Sequence, residues 1–313
     1  MSLLRDLGVP RLRPPTRWLR RLEFPLRAPH VPRGVEPPPR RARTGAAYET
    51  DWARTWPARL TRAGIVEGPM RAAVELLAAP EVRGADRLEG LEGPVVFVAN
   101  HHSHLDTPLL VTALPEPWRH RLVVGAAADY FFGTRVTAAL SALAIGAIPI
   151  ERTRIGRRSA DVAADLLEEG WNLLLFPEGG RSPDGWGQPF RGGAAYLARR
   201  CGVAVVPVHV AGTGRILPKG AKRPRPGSTI VTIGRPLRPT EGERPPRFAA
   251  RLERAVAELA DEATSDWYSA RLRAHAGTTP SLSAPSGLGA WRRAWALGDR
   301  RRRRSRRRTW PRL

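Results

Sequence analysis

The spacing of hydrophobic and polar positions changes along this chain of 313 residues. From residue 48 to 79 the apolar positions recur at helical spacing. Beyond residue 90, short apolar runs of strand length alternate with longer amphipathic segments. The runs predict strands at residues 95–98, 122–125, 172–176, 203–210 and 229–233, and the segments predict helices ending near residue 114 and at 159–169, 191–200 and 246–263.

This alternation predicts an α/β fold with a mostly parallel or mixed central sheet flanked by helices. The longest apolar stretch, residues 136–150, is interrupted by polar residues, glycine and proline. A membrane span needs about 18 apolar residues, so we interpret this stretch as a core helix leading into a strand. Loops 100–107, 177–185 and 211–219 each follow a predicted strand, and we expect them to meet at the carboxyl edge of the sheet.

Charge separates the ends of the chain from its middle. The formal net charge is +23, and residues 1–43 carry +8 of it while residues 291–313 carry +10. We therefore divide the chain into a flexible Pro/Arg-rich N-terminal segment (1–45), a folded domain (46–270) and a flexible basic Trp/Arg-rich tail (271–313). The single cysteine, Cys201, excludes an intramolecular disulfide framework and a multi-cysteine zinc site.

The segment NHHSHLD, residues 100–106, contains the clearest candidate chemistry. His101 follows a predicted strand, and Asp106 precedes a helix for which Thr107 is the expected N-cap and Pro108 the first helical residue. A carboxylate folded back onto the imidazole would hold one ring nitrogen as a donor and leave the other as a base. A polar loop without chemistry fits the same residues.

The histidines of this segment also allow a metal-dependent hydrolase, and a serine hydrolase is a second alternative. His102, His104 and Asp106 fit the H-x-H-x-D loop of metallo-β-lactamase-like hydrolases, but Thr107 stands where another histidine normally closes that loop. The remaining histidines are scattered and supply no obvious second ligand set, so we expect no metal. The sequence lacks the G-x-S-x-G elbow of a serine hydrolase.

Three further motifs follow in order: GAIPIER at 146–152, FPEGGRS at 176–182, and VVPV at 205–208 with AGT at 211–213. Together with NHHSHLD they resemble the PlsC-like, or 1-acylglycerol-3-phosphate, acyltransferase family of the lysophospholipid acyltransferase superfamily. The resemblance extends from about residue 82 to 237. It implies a glycerolipid-acyltransferase-like fold for the domain at 46–270.

The resemblance also implies a role for each motif residue. His101 would be the general base and Asp106 would orient it, with direct attack of a lysophospholipid hydroxyl on a thioester. Substrate binding would fall to Arg152, Glu178, Gly179, Gly180, Arg181 and Pro207. The family usually has threonine at the position of Gly180, and the loss of its hydroxyl would change phosphate binding or the head group that the site accepts. From the residues alone, Glu178 and Arg181 could instead pair and brace their loop.

We expect acyl-CoA or acyl-carrier protein as the donor, no cofactor, and 1-acylglycerol-3-phosphate as the leading acceptor. The arginine run at 300–308, flanked by tryptophans, predicts binding to an anionic membrane surface, with nucleic acid as a weaker alternative. The expected location is the cytoplasm, at the inner face of the membrane. The alternative function is a catalytically inactive, lipid-binding member of the same fold.

Overall fold

The computed structural model describes residues 44–116, 118–151, 157–182 and 185–283, with only the main chain for residues 157 and 158. Within these residues one sheet of seven strands has the order β1-β7-β6-β2-β5-β3-β4. All neighbours are parallel except β6 and β7, which are antiparallel. The mixed α/β fold is confirmed. The strands are β1 (Pro80–Arg83), β2 (Val95–Ala99), β3 (Leu122–Ala127), β4 (Ala147–Ile150), β5 (Asn172–Leu175), β6 (Ala204–Ala211) and β7 (Thr229–Ile233).

Helices cover both faces of the sheet. They are α1 (Trp56–Ile65), α2 (Arg71–Ala78), α3 (Asp106–Ala113), α4 (Ala128–Phe131), α5 (Arg135–Ile145), α6 (Arg157–Glu168), α7 (Gly193–Cys201), α8 (Thr213–Ile216), α9 (Pro245–Thr264) and α10 (Trp267–Ala276). A π-helical turn, Val66–Met70, joins α1 to α2. Short 3-10 turns lie at Gly45–Ala47, Asp51–Arg54, Ala85–Leu88 and Arg119–Arg121. No helix within the described ranges combines the length and the apolar character that crossing a membrane requires.

The central strand β2 shows why its sequence is uniformly apolar. All five of its residues are buried. Val95 and Phe97 point into the core beneath α2 and α3, whereas Val96 and Val98 point into the core beneath α6, α7 and α9. Because helices cover both faces, a parallel strand at the centre has no polar face to expose.

Helix α5 exists where residues 136–150 predicted it, and Gly146, at φ 64°, ends it before β4. Its interpretation as a core helix is wrong, however. Only Ala138 and Ala142 are buried, while Val136 and Leu140 remain 68% and 61% exposed. The inward face consists of these two alanines and the partly buried Ile145, so α5 lies against the domain surface instead of inside it.

The order of the central strands brings the motif loops together. Strand β2 lies between β6 and β5 and is parallel to both. The loops after these three strands therefore leave the same edge of the sheet as neighbours. The predicted convergence of loops 100–107, 177–185 and 211–219 is confirmed for their described residues. Farther along, α10 continues through residues 270 and 271, between which we divided the domain from the tail, and it packs on α9 through Arg273 and Asp261.

Candidate active site

The loop between β2 and α3 folds Asp106 back onto the residues before it. Asp106 Oδ2 accepts hydrogen bonds from the main-chain N–H groups of His102 and Ser103, at 2.7 and 2.8 Å. The same oxygen lies 2.9 Å from His101 Nδ1, so it accepts the proton of that ring nitrogen in the matching tautomer. Asp106 is fully buried, and His101 retains 16% exposure of its side chain. The buried Asp106 therefore orients the imidazole through Nδ1, and Nε2 is the ring nitrogen available to a substrate.

The start of α3 corrects one prediction. The helix begins at Asp106, and Leu105 precedes it without a side-chain cap, so Thr107 is not the N-cap. Asp106 N–H donates to Ser103 O at 3.3 Å, a turn that brings the chain into helical conformation two residues earlier than predicted. Pro108 then falls in the first helical turn, where main-chain N–H groups have no intrahelical partner and proline is tolerated.

The loop after β5 holds His101 from the other side. His101 N–H donates to Glu178 Oε1 at 2.9 Å, and Ser182 N–H donates to His101 O at 2.8 Å. The ring of His101 stacks on that of Phe176, with centroids 4.1 Å apart and planes inclined by 22°. Both peptide groups and the ring face of His101 thus contact residues of a single loop.

Glu178 belongs to this loop, and its side chain is buried, with 2% exposure. Its second oxygen, Oε2, accepts a hydrogen bond from Gln188 N–H at 3.0 Å. Burial raises the pKa of Glu178 to about 7, although both main-chain bonds act to lower it. No ion pair between Glu178 and Arg181 is seen in the described part of the chain, so the alternative that these two side chains pair is wrong. The carboxylate braces main-chain groups instead.

One cavity is lined by His101, and a second, larger cavity shares Ile150, Leu175, Phe176 and Gly179 with it. The smaller, of about 150 Å³, is lined by His101 and Thr107, and by Gly180 and Arg181 of the FPEGGRS motif. The larger, of about 680 Å³, lies between the ends of β4 and β5 and helices α6 and α7. His101 therefore faces the smaller cavity, which also contains Arg181, and the larger cavity next to it has mostly apolar walls.

His104 and Tyr130 form a part of the small cavity that sequence reasoning missed. His104 Nε2 lies 3.0 Å from Tyr130 Oη, and the two rings stack at 5.2 Å. Burial, followed by the charges of Arg181 and His101, lowers the pKa of His104 to about 4. His104 is therefore neutral near pH 7. Since Tyr130 lies 26 residues away, no local signal predicts this contact.

His209, on β6, is a second neutral histidine close to the motif loops. It is 6% exposed, and its Nδ1 has no hydrogen-bond partner among the described residues. Burial, with a further contribution from His102, lowers the pKa of His209 to about 3. The imidazole therefore stays uncharged over the range in which a free histidine takes up its proton.

The other predicted site residues fall in different surroundings. Gly179 has φ 73°, a conformation that favours glycine, and a Cβ there would come within 2.7 Å of Arg191 Cζ, so the guanidinium would have to shift. Pro207 is buried inside β6, paired with Val98, and shapes the sheet instead of lining either cavity within the described residues. Arg152 lies outside the described residues. Lys219, which sequence reasoning missed, donates from Nζ to Arg181 O at 2.9 Å.

The geometry does not favour the H-x-H-x-D metal site. Asp106 Oδ2 already receives two main-chain N–H groups beside His101, and His104 Nε2 contacts a tyrosine. Within the described ranges, the ligand atoms that do converge belong to Glu67, Glu116 and His120 near α1. Arginines pair with the two carboxylates of that group, so it is better explained as a surface ion-pair network.

Known proteins resemble this chain over the same segments. The family described as Acyltransferase matches residues 79–211. A 1-acyl-sn-glycerol-3-phosphate acyltransferase of Pseudomonas aeruginosa is 32% identical over 58% of this chain and 67% of its own length. A chloroplastic enzyme of the same description from Brassica napus is 31% identical over 45% of this chain, and the match spans only 40% of that relative.

A solved structure agrees in fold. The 1-acyl-sn-glycerophosphate acyltransferase PlsC from Thermotoga maritima superposes with a TM-score of 0.53 at 23% identity, covering 69% of this chain and 86% of that one. The fold and the placement of the motif loops define an α/β protein of the acyltransferase class. Within it, the chain belongs to the PlsC-like, 1-acyl-sn-glycerol-3-phosphate acyltransferase family.

Proposed function

We propose that this protein transfers a fatty acyl group from a thioester donor, acyl-CoA or acyl-carrier protein, to the hydroxyl of a lysophospholipid. The leading acceptor is 1-acylglycerol-3-phosphate, which would give phosphatidic acid. The observation that carries the proposal is the His101–Asp106 contact of 2.9 Å beside a cavity that also contains Arg181. Relatives described as 1-acyl-sn-glycerol-3-phosphate acyltransferases support the choice of acceptor.

In this mechanism His101 Nε2 takes the proton of the acceptor hydroxyl as its oxygen attacks the thioester carbonyl carbon. The tetrahedral intermediate then collapses, the carbon–sulfur bond breaks, and the thiolate leaves. Asp106 keeps Nδ1 protonated and stabilises the imidazolium, as the acid of a Ser-His-Asp triad does, with the acceptor hydroxyl in place of serine. A thiol has a pKa of about 8.5, so the leaving group needs little acid assistance.

Substrate groups are assigned by chemistry. The guanidinium of Arg181 suits the acceptor phosphate because it can make bidentate, charge-assisted hydrogen bonds, and Arg152 is proposed as a second such group. Gly179 and Gly180 would let main-chain amides approach the anion. The larger cavity offers mostly apolar walls to a fatty acyl chain.

The test is release of free thiol from acyl-CoA or acyl-carrier protein in the presence of a panel of lysophospholipids. Turnover with 1-acylglycerol-3-phosphate supports the proposal, and lipid binding without turnover supports the inactive, lipid-binding alternative. The variant H101A is expected to lose acyl transfer while its circular dichroism stays unchanged. Full activity of H101A would overturn the role of His101 as the base.

We also propose that the basic ends of the chain bind an anionic membrane surface, because lipid substrates reside there and each basic residue near such a surface contributes about 1 kcal/mol. The arginine run at 300–308 lies outside the described residues. Sedimentation with vesicles containing anionic lipid, with and without residues 291–313, tests this. Equal binding of both forms would count against the tail.

A further inference from the structure

We propose that Glu178 is a positioning residue that holds the main chain of His101, and that it does not contact the acceptor. This inference rests on the proposed role of His101 as the base. It departs from the substrate-binding role that the family resemblance implies for Glu178. Its basis is the placement of both carboxylate oxygens on main-chain N–H groups of two different loops.

Burial argues against a substrate contact. Glu178 is 2% exposed, and the walls of the two described cavities include its neighbours Pro177 and Gly179 but not Glu178 itself. One oxygen accepts from His101 N–H at 2.9 Å and the other from Gln188 N–H at 3.0 Å. With 2% exposure, the carboxylate leaves almost no surface open to a ligand.

The constraints on His101 divide into two kinds. Asp106 contacts ring atom Nδ1 and so determines the tautomer and the rotation of the imidazole. Glu178 contacts the main-chain N–H, and Ser182 N–H contacts the main-chain oxygen, so together they determine where the Cα of His101 lies. Phe176 supports the ring face from the same loop. Without the Glu178 bond, Asp106 would still orient the ring, but the His101 N–H would lose its partner, and the main chain would be held by the Ser182 bond and by the bonds of Asp106 to the neighbouring residues.

The cost of ionising Glu178 in this buried position suggests that the carboxylate has a specific role. Burial raises the pKa of Glu178 to about 7, and the nearby charges of Asp106 and Glu253 raise it further. The surroundings therefore favour the uncharged form of this carboxyl group, and the two main-chain N–H groups favour the ionised form. A buried carboxylate with a perturbed pKa beside a candidate base is a frequent feature of functional sites. When it is ionised, Glu178 accepts two charge-assisted hydrogen bonds from main-chain N–H groups.

The test compares E178Q with E253Q. Glutamine at 178 keeps one acceptor oxygen but presents an N–H to the other main-chain donor, so one of the two bonds is lost. Glu253 is a matched control because it accepts a hydrogen bond from Phe190 N–H at 2.9 Å, in the same connecting segment, without touching His101. A misplacement of about 1 Å in a catalytic group costs about 100-fold.

We expect kcat of E178Q to fall by about 10- to 100-fold, with the KM values of donor and acceptor changed less than about twofold. E253Q should stay within about twofold of the wild type in all three quantities. As a second readout, the NMR resonance of the His101 Nδ1 proton should shift or broaden in E178Q and remain in place in E253Q.

Three outcomes would overturn the proposal. A rise in acceptor KM at constant kcat would make Glu178 a substrate contact, and equal behaviour of E178Q and E253Q would make it a general brace. An unchanged His101 resonance in E178Q would also contradict it. If the wild type showed no turnover with any donor, the proposed function would fail, but the resonance would still decide the role of Glu178. Should E178Q not fold, E178D keeps the charge, is too short for both bonds, and is expected to lose kcat likewise.

Discussion

Asparagine at position 106 gives a sharp test of how the base is oriented. Asp106 Oδ2 accepts three N–H groups, two of them from the main chain of His102 and Ser103. Oδ1 is buried and has no hydrogen-bond partner among the described residues. In D106N the two main-chain donors require an oxygen at the Oδ2 position, so the amide nitrogen takes the place of Oδ1. His101 Nδ1 then still donates to oxygen, and the tautomer is kept.

The expected loss of activity follows from charge alone. Opposite unit charges about 4 Å apart attract by about 4 kcal/mol at an effective dielectric constant of about 20. The proton is only partly transferred in the transition state, so between about 2 and 4 kcal/mol is lost. This corresponds to a decrease of about 30- to 1000-fold in kcat. An asparagine that imposed the wrong tautomer would cost more, about 10⁴-fold in a serine protease triad.

The assay is steady-state thiol release, combined with nitrogen NMR of His101 to identify the protonated ring atom. D106A is the control, because it removes the acceptor of two buried main-chain N–H groups and should lower the free energy of unfolding by about 2 to 6 kcal/mol. D106N should unfold close to the wild type. Protonation of Nε2 in D106N, or a decrease as large as that of H101A, would refute the reasoning.

Three other changes test neighbouring features. R181A is expected to raise the acceptor KM about 10- to 100-fold with a smaller effect on kcat, since one charge-assisted hydrogen bond contributes about 1.5 to 3 kcal/mol; an unchanged KM in titrations with 1-acylglycerol-3-phosphate would contradict phosphate binding. G179A should lower the melting temperature, because positive φ and the approach to Arg191 together cost about 1 to 3 kcal/mol; equal calorimetric stability would contradict the strain. In H209Q the free energy of unfolding should decline less on acidification than in the wild type. In the unfolded wild type, His209 takes up a proton below pH about 6.5, whereas in the folded protein it takes up a proton only near pH 3. The wild type therefore loses about 3 kcal/mol relative to H209Q by pH 4, and parallel denaturation curves from pH 7 to 4 would contradict this.

The sequence predicted the strands that are buried on both faces and missed the one that is not. Strand β2 consists of continuous apolar residues, and β6 is apolar apart from the buried His209, a pattern typical of strands covered on both faces. Strand β1, Pro80–Arg83, is a polar edge strand with no buried residue, and its four residues show no alternation. Helix α10 was missed because Trp267 and Tyr268 are largely exposed, so it lacks a clear apolar face. Strand β1 is held by its pairing with β7, and helix α10 is held by its contacts with α9.

For the site, local contacts were predictable and distant ones were not. The spacing of His101 and Asp106 across a strand end and a helix start predicted their contact, because five residues of chain leave few other arrangements. The partner of Glu178 is a main-chain N–H that lies 77 residues earlier and is indistinguishable in sequence from any other. Likewise, nothing near His104 points to Tyr130. These contacts depend on which strands become neighbours.

The sheet order has a consequence for how the protein folds. The contacts that surround the NHHSHLD loop are of long range: His101 with Glu178 is separated by 77 residues, Asn100 with Val210 by 110, and Ser103 with Leu217 by 114. Contacts of such separation form only after long loops have closed, which is slow. During synthesis, a chain that ends before residue 204 contains His101 and Asp106 but lacks β6 beside them. The surroundings of His101 can therefore be completed only after β6 has been synthesised.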